Sequence, residues 1–225
     1  MSNLAPTRCY LLPFAVRYPK PLRLRVQTVF LFLLGIALFF AVHLVRVFAP
    51  GMREAAIARL GEGGWKGIYS LVSLAALMLV GRGYSQAYGQ TPLLYEVPDW
   101  GRVVPLVLMA AAFVLAVTSN GPTGRIRRAV GDPLLIATIL WAFAHLFVRS
   151  DALHVILFGG FLVWAMVDLV SVRRRRAAGI AQGPVLAAGA TPWVADAIAV
   201  VVGLGLYVAF MVFLHQWLFG VSPID

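Results

Sequence analysis

Runs of apolar residues alternate along this chain with short connections rich in Gly, Pro and Arg, and six of the runs approach the length of a bilayer crossing. The first, about Val26 to Phe48, reaches across ~30 Å of hydrocarbon at ~1.5 Å per residue. Ala49, Pro50 and Gly51 interrupt it. The stretch MREAAIARLGEGG then sets Ala55, Ile57, Ala58 and Leu60 among Arg53, Glu54 and Arg59, the pattern of a short amphipathic helix lying in the interface. Trp65 and Lys66 open the second run, which extends to about Val80. Gly81 to Gly101, with Tyr84, Tyr88, Tyr95 and Trp100 beside Pro92 and Pro98, reads as an aromatic loop along the membrane surface. The third run, Val103 to Thr118, ends at the turn signal Ser119, Asn120, Gly121, Pro122.

Asp132 is placed to cap the fourth run, with Pro133 in its first turn, where a missing N–H costs nothing. That run reaches about Phe147. After the short turn Arg149, Ser150, Asp151 comes the fifth, Ala152 to about Val170, so the two should be antiparallel neighbours, with Gly159 and Gly160 permitting close approach. Arg173 to Arg176 and the small-residue linker AAGIAQGPVLAAGA lead to Thr191 and Pro192, which open the sixth run, about Trp193 to Phe219. No internal repeat is visible. The pattern predicts an all-α fold, a polytopic transmembrane helical bundle of about six spans. It forms one domain over 26–225, behind a basic, proline-punctuated tail over 1–25.

Composition agrees. The 225 residues are 61% hydrophobic and 12% charged, against ~45–50% and ~25% in soluble domains. The net charge of +10 could point to nucleic acid, but the basic residues cluster between apolar runs, as cytoplasmic loops facing anionic lipid do. The lipid bilayer is therefore the expected partner, and nucleic acid is not. An even number of crossings puts both termini on one side, and the basic clusters lean towards termini outside the cytoplasm. The single cysteine, Cys9, excludes an internal disulfide, and the N-terminus lacks the look of a cleaved signal peptide.

The candidate chemistry lies in four histidines within or beside apolar runs: His43, His145, His154 and His215. An imidazole in hydrocarbon is costly unless it finds a hydrogen-bond partner or a metal, and gathering several in one bundle favours a transition metal or haem iron. Satisfied structural histidines are the competing reading. No phosphate loop, Cys/His zinc spacing, HExxH or buried carboxylate pair offers another chemistry. Asp196 suits a helix start, and Asp168, close to four arginines, suits an ion pair. Counted from the span midpoints, His43 and His145 lie ~15 Å apart along the membrane normal, while His145, His154 and His215 share one side.

The segment LWAFAHLFVRSDALHVILFGGFLVWAMVDL resembles the NnrU family of bacterial inner-membrane proteins, in which Trp-x-x-x-His, a turn and an FGG-x-x-x-W-like helix follow one another. FFAVHLVRVFAPGMREAAIARLGEGGWKGIYSLVSL and HQWLFGVSPI extend the likeness over about residues 30 to 224. The resemblance implies a multi-pass protein of the bacterial inner membrane linked to denitrification, around nitrite and nitric oxide reduction. The family also includes the plant-type zeta-carotene isomerase, which uses haem b. Its histidine ligands fall on His43 and His145, and His215 stands in the matching C-terminal stretch. Where the isomerase has a cysteine three residues before the second histidine, this chain has Ala142, and where the family has Arg-His-Pro it has Gly131, Asp132 and Pro133. The resemblance thus implies haem b on His43 and His145, with His215 as a further cofactor-binding residue, and a redox or isomerase role on a lipophilic small molecule. The alternative is a non-enzymatic assembly or transport partner of denitrification enzymes.

Overall fold

A computed structural model of the chain describes residues 22–181, 183–185 and 191–224. The basic tail up to residue 21, with Cys9, and much of the linker before Thr191 lie outside the described residues. The elements are α1 (Leu22–Phe48), α2 (Pro50–Ala87), α3 (Val103–Asn120), a six-residue α4 (Arg125–Val130), α5 (Pro133–Leu146), α6 (Ala152–Ala177), α7 (Pro192–Ala209) and α8 (His215–Phe219). A π turn over Phe210–Leu214 joins the last two. Among the described residues, five helical stretches are long and apolar enough to cross a membrane, and the 14 residues of α5 form a shorter apolar helix. In hydrocarbon every backbone N–H and C=O must be paired within the chain, which helices achieve segment by segment.

Lateral packing runs in the order α2, α1, α6, α5, α3, α7, so α6 lies at the centre of the row beside both α1 and α5. Small residues line many of these contacts, beside a few large side chains such as Phe32 and Leu153. Ala76, Ala112, Ala142, Ala144, Ala165 and Ala199 are buried, whereas Leu71 is 69% and Val201 71% exposed. This inside-out distribution is what lipid as the outer solvent allows: apolar side chains gain nothing by turning inward, and helices associate where small residues let backbones approach. A Cβ on Gly83 would come within 2.6 Å of the Phe32 Cα, and one on Gly203 within 2.6 Å of the Val114 Cα. Of the expected glycine pair, Gly160 meets Phe40 and Gly159 faces open space.

Four local expectations are corrected. The interfacial helix and second span form one helical stretch divided at Gly61, whose φ of 71° is open to glycine and strained for other residues. That stretch continues to Ala87, so Gly81 to Ala87 is helix where a loop was expected. Asp132 makes no side-chain cap; its carboxylate instead takes both guanidinium nitrogens of Arg176, at 2.5 and 2.7 Å. Asp196 caps another helix, accepting from the backbone N–H groups of Arg125 (3.0 Å) and Ile126 (3.1 Å). In both cases a charged or multi-donor partner from elsewhere outcompetes the local cap.

The loop after α2 is strapped to the turn between α5 and α6. Leu94 N–H donates to the Ser150 carbonyl (2.8 Å), Ala152 N–H to that of Pro92 (2.9 Å), and Tyr95 Oη to those of Leu146 (2.5 Å) and Arg149 (3.0 Å). Two of the tyrosines expected as an interfacial belt, Tyr84 and Tyr95, thus spend their hydroxyls on protein partners.

Candidate functional site

The histidines are positioned by an aromatic ladder on α6. Trp164, Phe161 and Phe158 recur at helical spacing and receive rings from both neighbouring helices. From α1, Phe39 lies 5.3 Å from Phe161, ring centre to ring centre, and His43 packs edge-on against Trp164 at 5.6 Å. From α5, Trp141 meets Phe158 at 5.0 Å and Phe161 at 5.5 Å, and His145 stacks on Phe158 at 4.4 Å.

Hydrogen bonding fixes the tautomers. His43 Nδ1 lies 2.7 Å from the Phe39 carbonyl, His145 Nδ1 2.7 Å from that of Trp141, and His215 Nδ1 2.6 Å from that of Val221. A carbonyl oxygen can only accept, so each Nδ1 carries a proton, and the neutral form of each ring presents an unprotonated Nε2. That is the form in which imidazole ligates a metal, its other nitrogen oriented by a backbone acceptor.

His154 differs. Its Nδ1 donates to the Asp151 carboxylate and its Nε2 accepts from Tyr84 Oη at 2.8 Å, so both nitrogens are engaged. The ring is 3% exposed and stacks over Phe158. Thr91 Oγ1 donates to Asp151 at 2.9 Å and accepts from Leu153 N–H at 3.2 Å, binding loop, turn and helix together. Burial pushes the Asp151 carboxyl up, but the Thr91 hydrogen bond and His154 outweigh it and hold the group below the usual aspartate value.

The placement separates His43 from the others. His43 faces Trp164 and lies within electrostatic range of Asp168; His145 faces Phe158 and lies within range of His154 and His215. Six residues of α6 divide the two levels, about 9 Å along the helix, with Phe39, Phe161 and Trp141 between. His43 and His145 thus pack on different levels of the α6 ladder. His145 and His215 share one end of the bundle, each with its Nε2 available. Among the described residues no three His, Cys, Asp or Glu side chains are grouped as a metal-ion set. Ala142 is fully buried and has no donor atom.

A family model described as NnrU protein matches residues 31–223. The chain belongs to the NnrU family. No curated protein and no solved structure matches it. The stretch matched to NnrU holds all four histidines and the whole aromatic ladder, so the arrangement described belongs to the family domain.

Within this NnrU domain the structure adds residues that sequence reasoning missed. Tyr84 and Asp151 saturate the His154 ring, with Thr91 holding Asp151 in place; the usable signal was Asp151 three residues before His154 at a helix start, the spacing of a side-chain cap. Trp164 Nε1 beside His43, and Ser73 Oγ on α2, are buried without a hydrogen-bond partner among the described residues.

Proposed function

We propose that this NnrU protein serves nitrogen-oxide respiration in the bacterial inner membrane and carries a b-type haem on its transmembrane histidines, with His145 the central ligand. The supporting observation is the tautomer: His43, His145 and His215 each give Nδ1–H to a carbonyl and leave Nε2 free to donate its lone pair. The family resemblance pairs His145 with His43, while shared position at one end of the bundle pairs it with His215. A b-type haem would supply an iron able to change oxidation state or take up a small ligand such as nitric oxide. The chain's own part is to orient the imidazoles through the Phe39, Trp141 and Val221 carbonyls and to surround them with apolar rings that exclude water. The test is the absorption spectrum of the detergent-purified protein after haem supply. A Soret band lost in His145→Ala is expected, and whichever of His43→Ala and His215→Ala also shifts it names the second ligand. No band, or one unchanged in all three variants, refutes the reading.

The second reading, a non-enzymatic assembly or transport partner of denitrification enzymes, is favoured by a different observation. Every histidine already has a protein hydrogen-bond partner, which suffices to explain an imidazole in hydrocarbon. Alanine variants would then lose co-purifying partners and leave no chromophore to lose. For an isomerase acting on a lipophilic carotenoid, the buried Ala142 removes any thiolate ligand at that position.

A further inference from the structure

Arg175 stands where α6 leaves its apolar stretch. Its Nη1 donates to Ser171 Oγ. Its other edge, Nε–H and Nη2–H, is buried and meets no hydrogen-bond acceptor among the described residues. Asp168 faces Nη2 at 3.9 Å, close enough to attract the charge and too far to accept a hydrogen bond. A buried donor without an acceptor costs about 1–3 kcal/mol, and more on a charged group. The Nε and Nη2 protons point the same way and match two oxygens of a phosphate or carboxylate, so this edge is shaped for an oxyanion.

The surrounding charges favour the same ligand. Arg176 is engaged by Asp132 through two hydrogen bonds. Arg175 lies within electrostatic range of the exposed Arg46 of α1 and of Arg176, against two carboxylates, Asp168 and the Asp132 already bound to Arg176, with exposed Arg173 and Arg174 adding to the positive charge. Two guanidinium groups repel unless an anion joins them. The cluster begins directly after the apolar residues of α6, the depth at which lipid phosphates lie. On the same two helices, Phe48 is 72% and Val170 48% exposed, leaving apolar surface for acyl chains.

We propose that Arg175 and Arg46 form a binding site for the phosphate of an anionic phospholipid headgroup, the Arg175 side chain turning its buried Nε and Nη2 edge outward to hold two oxygens and Arg46 approaching a third. Inorganic phosphate presents the same oxygens and is the other source of this chemistry. The site is independent of the haem reading, and none of its readouts involves a chromophore.

The test uses the full chain in neutral detergent micelles doped with phosphatidylglycerol, with phosphatidylcholine, or with inorganic phosphate added to the buffer. Lipid retention in native mass spectrometry and the unfolding midpoint are followed for the wild type, Arg175→Gln, Arg46→Gln and Arg173→Gln. Phosphatidylglycerol is expected to be retained and to raise the midpoint while phosphatidylcholine is not. Loss of Arg46 or Arg175 should weaken this about tenfold or more, the worth of one charge-assisted hydrogen bond, and loss of Arg173 should leave it intact. Arg175→Gln also breaks the Ser171 contact, so the exposed Arg46→Gln decides if that variant fails to fold. A response to inorganic phosphate alone, abolished in Arg46→Gln, upholds the site with free phosphate as its ligand. Equal weakening in Arg173→Gln, or a wild type that ignores phosphate and treats the two lipids alike, overturns it.

Discussion

The four histidines should separate by what their removal costs, and His154 is the decisive one. Its ring is 3% exposed, donates to Asp151, and accepts from Tyr84 Oη at 2.8 Å. His154→Ala removes both bonds and leaves the Tyr84 hydroxyl and the Asp151 carboxylate each short of a partner. A neutral hydrogen bond contributes about 0.5–1.5 kcal/mol, one to a charged group about 1.5–3, and an abandoned buried hydroxyl costs about 1–3. Hydrogen bonds within membrane proteins average nearer ~0.6 kcal/mol, because the unfolded chain in the membrane also finds partners. The total expected is about 2–5 kcal/mol. His145→Ala gives up a single bond to a helix carbonyl and one ring stack, about 1–2 kcal/mol. The measurement is reversible unfolding of the full chain in mixed micelles, followed by circular dichroism, with Tyr84→Phe and the Tyr84→Phe/His154→Ala double variant completing a cycle. A coupling of about 0.6–1.5 kcal/mol between the two residues is expected. Zero coupling, or a His154 variant no less stable than the His145 variant, would show that the Tyr84–His154–Asp151 chain does not hold these elements together.

Two further outcomes follow from local geometry. Gly83→Ala should loosen α1 from α2 at a cost of about 1–3 kcal/mol, because its methyl would press on the Phe32 backbone, while Gly81→Ala, with nothing within 4 Å, should be neutral in the same unfolding assay; equal effects would contradict the packing described. Asp151 has its folded pKa below the ordinary value of 3.8, so its contribution is full above that value and is lost as pH falls through the lower folded one. Acid titration of the unfolding midpoint should therefore show a step below about pH 3.8 that is missing in Asp151→Asn, and identical acid profiles would remove Asp151 from the account.

Apolar run length and the clustering of arginines were enough to read a multi-pass helical membrane protein, to set the approximate starts of α3, α5, α6 and α7, and to single out the histidines. Hydrophobicity adds up residue by residue along the chain, so it can be read locally. The end of α2 was harder: Gly81, Gly83 and several tyrosines look like a loop until Gly83 is seen making room for Phe32 and Tyr84 reaching His154. The same holds for Asp132 and Asp196, whose sequence positions suggest caps for their own helices and whose carboxylates are taken by Arg176 and by the start of α4.

What tertiary structure alone decided is which imidazole nitrogens remain available and which rings share a level. In lipid every apolar face of a helix is equally comfortable, so periodicity does not announce which face will meet a neighbour; that follows from where small residues let two backbones close. The helix order α2, α1, α6, α5, α3, α7 sets His43 against Trp164 and His145 against Phe158. It also gives both nitrogens of His154 to residues 3 and 70 positions away in the chain. The sequence determined that imidazoles lie within or beside apolar helices, and the packing of those helices determined that three of them still have a lone pair to offer.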